Sequence, residues 1–268
     1  MRRTTAHALA AGALQRIETD ARTIEDGGVE FVVRRAIKTR AGGGGPKAEA
    51  GKPKADPFAN PEPDLFVADL SPTHFALLNK YNVLDHALLV VTRANIDQDV
   101  PLDLADFEAL AACMANQPVL GFYNGGAMAG ASQRHKHLQV VRLPISPTVD
   151  LPIERRIEDL PFRSAFARLA SNPAAGELHD RYVALIRQAR CANGPYNLLV
   201  AHDWMLVVPR TRASFEGIPV NSLAFAGALF VRDDIELATV ARIGPMAVLQ
   251  GVSYVVEERA GTLDKDPS

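Results

Sequence analysis

Apolar and polar positions along the chain follow two periods. Glu30 to Ala36, with the β-branched pair Val32-Val33, reads as a strand, and Leu84 to Thr92, dense in Leu88-Leu89-Val90-Val91, reads as a buried one. Gly121 to Asn124 is a short strand, and His135 to Arg142 alternates as another. Tyr196 to Val200 and Trp204 to Val208 read as two strands joined through His202-Asp203. The helical period appears from Asp103 to Met114, where Leu104, Phe107, Leu110 and Met114 recur and Asp103 can cap. It returns from Gly176 to Arg190, with Leu178, Tyr182, Leu185 and Ile186 on one face, until Asn193-Gly194-Pro195 stops it. Short helices are expected over Asp233–Ala241 and Pro245–Val252. Strands joined by short connections beside helices predict an α+β fold, an antiparallel sheet with helices packed on it.

Breaker residues divide this pattern without splitting it. Gly42 to Gly45 and the Lys/Ala/Pro stretch through Lys54 read as a flexible surface loop, with a lid carrying Lys47, Lys52 or Lys54 over an anion as the alternative. Prolines and asparagines between Asp56 and Pro63 predict extended chain. We therefore expect one catalytic domain over 1–268. It comprises an N-terminal segment (1–55), a nucleotide-binding and catalytic region (56–170), and a C-terminal part (171–268) that completes the fold. The start, from Met1-Arg2-Arg3 into His7–Leu14, resembles a signal peptide only faintly and reads as a helix.

Composition narrows the chemistry. With 29 Lys+Arg against 31 Asp+Glu and 47% apolar residues, the chain is neither disordered nor a broad coat for nucleic acid or acidic membrane. The apolar runs fall far below the ~20 residues of a bilayer crossing. Cys113 and Cys191 are too few for a disulfide framework or a zinc cluster; one reads as a core thiol and the other as inert, and the expected location is cytoplasmic.

The informative segment runs from Asn124 to Gln139: Asn-Gly-Gly-Ala-Met-Ala-Gly-Ala-Ser-Gln-Arg-His-Lys-His-Leu-Gln. Strand alternation sets His135, His137 and Gln139 on one face and Lys136, Leu138 and Val140 on the other. The glycine, Ser132 and Gln133 loop before them can bring N–H groups, a hydroxyl and an amide to an anion. Imidazoles beside an anion cradle point to attack on phosphorus. The attacking ring must be neutral, with its second nitrogen donating to a fixed acceptor. We assign His137 as attacker, flanked by His135 and Gln139. An amide binds phosphate oxygens but does not activate water, so Gln139 favours transfer over hydrolysis.

Ser-Gln-x-His-x-His-x-Gln within this segment resembles the histidine-triad superfamily, and within it the diadenosine tetraphosphate phosphorylases, or ATP adenylyltransferases. The resemblance extends to Asp56-Pro57-Phe58, Leu78–Val83, Asp85–Leu89, Tyr196–Leu199, Trp204–Arg210 and Asn221–Gly227. It implies a histidine-triad-like sheet and a split of diadenosine tetraphosphate by inorganic phosphate into ATP and ADP through an adenylylated histidine. It also implies that His137 is the nucleophile and His135 its steering neighbour, with Gln139 replacing the third histidine. Asn124, Gly130, Ser132 and Gln133 would hold phosphates, Asn79 and His86 would wall the nucleotide, and Lys54 is carried as a further substrate contact. A divalent cation such as magnesium would arrive with the polyphosphate, and the enzyme is expected to act as a monomer.

Three rival readings stand beside this one. His-x-His also suits a metal ion, with His74, His86 or Asp85 as third ligand. A non-catalytic nucleotide-binding module would keep the cradle without needing His137, and uridylyl transfer to a sugar phosphate shares the motif core. Elsewhere, His7, His179 and His202 read as solvated or capping, and Trp204, Met205 and Val207 as core. Arg210 and Arg212 read as solvated, and Lys136 as structural or at the surface.

Overall fold

The computed structural model describes residues 2–37, 56–115, 117–171 and 173–256. Helix α1 (Arg2–Ala10) is followed by strands β1 (Thr19–Asp26) and β2 (Val29–Ala36), then β3 (Phe66–Asp69), β4 (His74–Leu78) and β5 (Leu88–Thr92). Next come α2 (Leu104–Met114), β6 (Val119–Gly125), β7 (His137–Arg142), β8 (Ala165–Arg168), α3 (Ala175–Gln188), β9 (Tyr196–Val200) and β10 (Trp204–Pro209). The C-terminal part adds β11 (Ser214–Phe215), β12 (Ile218–Pro219), β13 (Ala228–Val231), α4 (Asp234–Ile243) and α5 (Pro245–Gly251). The α+β expectation holds.

An antiparallel sheet in the order β3-β4-β5-β7-β6-β9-β10-β8 forms the centre. One face is covered by α2 and α3, whose Phe107, Leu110, Leu178, Tyr182 and Leu185 pack with Leu138, Val140, Leu198 and Met205 of the strands. The opposite face is covered in two pieces. Over β6, β9 and β10 lies the second core, where Phe122, Leu199 and Leu206 meet Phe31 of β2, Leu237 of α4 and Leu249 of α5. Over β4 and β5 there is only a small cluster of Phe58, Phe75, Leu77, Leu89 and Val91. That thinly covered half of the sheet carries His137 and Gln139.

Local chemistry sets the element ends. Asp103 caps α2 through a reciprocal box with Asp106, each side chain accepting from the other's backbone N–H. Between α4 and α5, Gly244 has φ +89, and a Cβ there would lie 2.4 Å from the Asp26 oxygen that accepts from Met246 N–H. Two expectations need correction. Residues 57–59 form a turn and Pro63–Leu65 a single 3-10 turn, so the stretch from Asp56 is not extended; Asp56 Oδ1 accepts from Phe58 N–H at 2.9 Å and curls the chain. Helix α1 was expected, but β1 was not. Its sequence Thr-Asp-Ala-Arg-Thr-Ile-Glu-Asp lacks an apolar face, and it is held by its pairing with β2.

Candidate active site

The face alternation is as expected, and what surrounds it explains the chemistry. β5 pairs with β7 so that Val91 faces His137 and Leu89 faces Gln139. The Phe58 ring lies against both imidazoles, with centroids 5.6 Å from His135 and 5.2 Å from His137. His137 Nδ1 lies 2.8 Å from the backbone carbonyl of His135. A carbonyl only accepts, so Nδ1 carries the proton and Nε2 keeps its lone pair. Burial, with the neighbouring His135 adding to it against the hydrogen bond, pushes His137 down to about 4. At neutral pH the ring is therefore uncharged and has one nitrogen available to a nucleophilic role.

His135 is anchored at both nitrogens, by Asp56 Oδ2 at 2.8 Å and the Thr92 carbonyl at 2.7 Å. With both nitrogens occupied it steadies the site and cannot ligate a metal without losing a partner, which weighs against the His-x-His metal reading. Gln139 is half-buried on the same face. Lys136 is inward and structural, not at the surface: its ammonium donates to Asp106 at 2.8 Å and to the Pro101 carbonyl at 2.9 Å.

The loop before the histidines differs from the expected cradle. Its amides at Ala129, Gly130 and Ala131 donate back to Gly126, Ala127 and Gly126 carbonyls. The Gly130 N–H is thus already paired within the loop. Gly130 is needed because φ is +91 and a Cβ would sit 2.5 Å from the Val220 carbonyl. Asn124 is 2% exposed, and its Oδ1 accepts from Asn197 Nδ2 and from the backbone and hydroxyl of Ser222. Only its amide N–H2 remains for a ligand, so its main work is to brace the loop. Ser132 and Gln133 line a cavity of about 310 Å³ with Gly126, Gln98, Asp97 and Arg134.

The remaining candidates lie at the far end of β7. His86, in the left-handed region at φ 58, bonds Thr5 of α1. It lines a cavity of about 770 Å³ with Arg16, Arg34, Asp85, Arg142 and Leu143. Arg142 follows His137 by five residues, about 16 Å along a strand, so His86 does not join the histidine pair directly. Asn79 is half-buried at the end of β4, its N–H donating to the Ala87 carbonyl. Lys54, with Lys47, Lys52 and the Gly42–Gly45 run, falls outside the described residues.

Sequence reasoning missed several participants. Asp56 and Phe58 sit within a motif already noted, yet nothing local reveals that they meet the histidines. Arg210, read as solvated, is 1% exposed. It donates to the carbonyls of Ala129, Val220, Val252 and Arg212 and to Asn197 Oδ1, and its guanidinium lies 5.5 Å from the Phe225 ring.

Residues 1–159 match the Ap4A phosphorylase N-terminal domain family, and residues 158–255 match the ATP adenylyltransferase C-terminal domain. The chain belongs to the Ap4A phosphorylase family. Among the relatives of this Ap4A phosphorylase family member is the Saccharomyces cerevisiae diadenosine 5',5'''-P1,P4-tetraphosphate phosphorylase 2. It is 29% identical over 225 residues, covering 66% of this chain and 69% of the relative. Protein APA1 of the same yeast is 26% identical over 228 residues, covering 67% and 69%. The crystal structure of yeast Ap4A phosphorylase Apa2 in complex with AMP superposes with a TM-score of 0.79 at 22% identity, covering 96% of each chain. The same enzyme in complex with Ap4A gives 0.78 at 23% identity, covering 96% of this chain and 97% of that one. These likenesses establish the α+β fold of the Ap4A phosphorylases for this chain.

Proposed function

We propose that this protein is a nucleotidyltransferase that splits diadenosine tetraphosphate with inorganic phosphate into ATP and ADP. Family membership supports the overall reaction. The single observation that carries the mechanism is the bond from His137 Nδ1 to the His135 carbonyl, which leaves a neutral ring with a bare Nε2. In the first step Nε2 attacks the α-phosphorus, forming an N–P bond as the P–O bond to the ATP leaving group breaks. In the second, an oxygen of inorganic phosphate attacks the same phosphorus, the N–P bond breaks, and ADP departs. Ser132, Gln133 and the amide of Asn124 supply donors for charge on the phosphoryl oxygens. Gln139 offers no base to water, which keeps the intermediate for phosphate.

Among the described residues no cluster of three or more His, Cys, Asp or Glu stands ready to hold a metal ion. In this proposal magnesium or a similar ion travels with the polyphosphate and is not resident. No described helix is long and apolar enough to cross a membrane. Unpaired Cys113 and Cys191, both pushed up to about 11 by burial, fit the cytoplasmic setting we propose.

The test is incubation with diadenosine tetraphosphate, with and without phosphate, followed by product separation and intact mass. An adenylyl adduct on position 137 that phosphate discharges is the expected result, and its absence from every trapped mixture removes the covalent mechanism. His137→Ala should cost several orders of magnitude in rate. Because the attacking ring must be neutral and titrates near 4, kcat/KM should stay level down to about pH 5 and fall below it. An acid limb near 6.5 that belongs to the His137 ring, and not to the phosphate acceptor, would contradict the effect of its burial.

A further inference from the structure

β6 and β7 pair in one register from Val119 opposite Arg142 to Phe122 opposite Gln139. Two residues further, that register would set Asn124 opposite His137, but the ladder stops short of it. A side chain occupies the interval. Gln98, 3% exposed, accepts from His137 N–H through Oε1 at 2.8 Å. Its Nε2 donates to the His137 carbonyl at 3.1 Å and to the Asn124 carbonyl at 3.0 Å. One primary amide thus makes the bonds that a neighbouring strand's peptide group would make, and both its N–H groups are satisfied.

The seat of Gln98 is fixed as firmly as its amide. Its own N–H donates to the Arg134 carbonyl at 2.6 Å, and its carbonyl accepts from the buried Tyr123 hydroxyl. Residues 96–98 run antiparallel to 134–136, through the Asp97–His135 bridge and the bond from Lys136 N–H to the Ile96 carbonyl at 2.7 Å. On the other side Thr92 N–H donates to the Lys136 carbonyl. The Gln98 side chain therefore extends a short strand by one more peptide-like unit, onto His137.

We propose that Gln98 is a positioning residue: an amide wedge that sets the backbone of His137 and holds β6 away from it. Directly paired strands lie about 4.8 Å apart, and the inserted amide exceeds that spacing. The widened gap is where the Gly125–Arg134 loop leaves the sheet, and Gln98 itself lines the cavity beneath Ser132 and Gln133. The fixed backbone also lets the His137 ring reach the carbonyl two residues behind it, which decides which nitrogen carries the proton. This inference rests on the reading of His137 as the attacking group.

Two full-length variants test it. Gln98→Glu keeps the size and the acceptor for His137 N–H but loses both donors; Gln98→Met keeps the length and loses all three bonds. Each is measured for thermal unfolding, for steady-state turnover of diadenosine tetraphosphate with phosphate, and for the nitrogen NMR signals of the His137 ring, assigned by their loss in His137→Ala. The expected result is a kcat lower by about 10- to 100-fold, as for a reacting group displaced by a fraction of an ångström to an ångström. KM should stay within about 3-fold, and the ring signals should move from one tautomer toward an average of two. The near-isosteric Gln98→Glu carries the test if Gln98→Met does not fold. A folded variant with wild-type kcat overturns the proposal. So does a loss that only tracks the unfolded fraction, with His137 signals unchanged. If instead His137→Ala turned over like wild type, the assignment of His137 would fall, and that outcome is separate because it needs no Gln98 variant.

Discussion

Two cations are buried close to the site, and the protein treats them in opposite ways. Lys136, between the two histidines but facing α2, is neutralised by a carboxylate: its ammonium and the His74 imidazole each bond one oxygen of Asp106. Arg210, beyond β10, has only dipoles around it. Its hydrogen-bond acceptors are backbone carbonyls and the amide oxygen of Asn197. Burial lowers Arg210 to about 9, which still leaves it charged at neutral pH. The first arrangement has little net field and fixes a strand. The second keeps its positive charge and bonds the Ala129 carbonyl of the loop that precedes Ser132. The difference separates a charge cancelled on the spot from one left uncancelled beside the loop that precedes Ser132.

The largest effect should come from breaking the neutralised group. Asp106→Leu leaves the Lys136 ammonium buried without a counter-charge and removes the α2 capping box. A loss of about 3–5 kcal/mol is expected by chemical denaturation. The same carboxyl predicts the pH response. Burial alone would raise Asp106, but the hydrogen bonds from His74 and the charge of Lys136 outweigh it and hold it below the ordinary range. A depressed carboxyl contributes stability that is complete above its unfolded value of about 3.9 and lost as pH falls through the folded one. Acid unfolding of wild type should therefore begin below about pH 4, and Asp106→Leu should lose that component of the transition.

Next in size is Arg210→Met. Several carbonyls and Asn197 lose a donor, and a destabilisation of about 2–4 kcal/mol is expected from thermal or denaturant unfolding. If the charge also acts on the polyphosphate, KM should rise by about 10-fold, more at low salt than at high salt. A KM that does not change, in a variant that still folds, would make Arg210 purely structural and erase the contrast with Lys136.

How far the sequence foretold this contrast depends on the range of the interaction. Alternation over His135–Gln139 was legible because a strand's side-chain period is fixed by its backbone, and it separated Lys136 from the histidines correctly. The run Leu88–Val91 and the helical spacing of Leu104, Phe107 and Leu110 were legible for the same reason. Arg210 was not. Its acceptors Ala129 and Val252 lie 81 and 42 residues away, and no local pattern distinguishes it from a solvated arginine. Gln98 and the turn at Asp56 escaped likewise, since their partners across the fold, not their neighbours in sequence, define their work. Asn124 and Gly130 were singled out by motif, but the motif could not say that one would brace the loop and the other would fit beneath Val220.

The smallest effect is the most discriminating. If the Lys136–Asp106 pair is only structural, replacing both members by apolar side chains of similar size should cost far less than removing either alone. Lys136→Met with Asp106→Leu removes the cation and its counter-charge together, leaving the lost His74 partner and the lost cap to account for. The expected cost is about 1–2 kcal/mol, well below that of Asp106→Leu, because exchanging a buried pair for packed apolar groups is often close to neutral. Unfolding curves of the two single variants and the double variant measure that coupling directly. KM for diadenosine tetraphosphate should stay at the wild-type value in the double variant, where Arg210→Met raises it. A double variant that folded as wild type does but bound substrate several-fold more weakly would mean that Lys136 also contributes to the field at the site, and the division of labour between the two buried cations would be wrong.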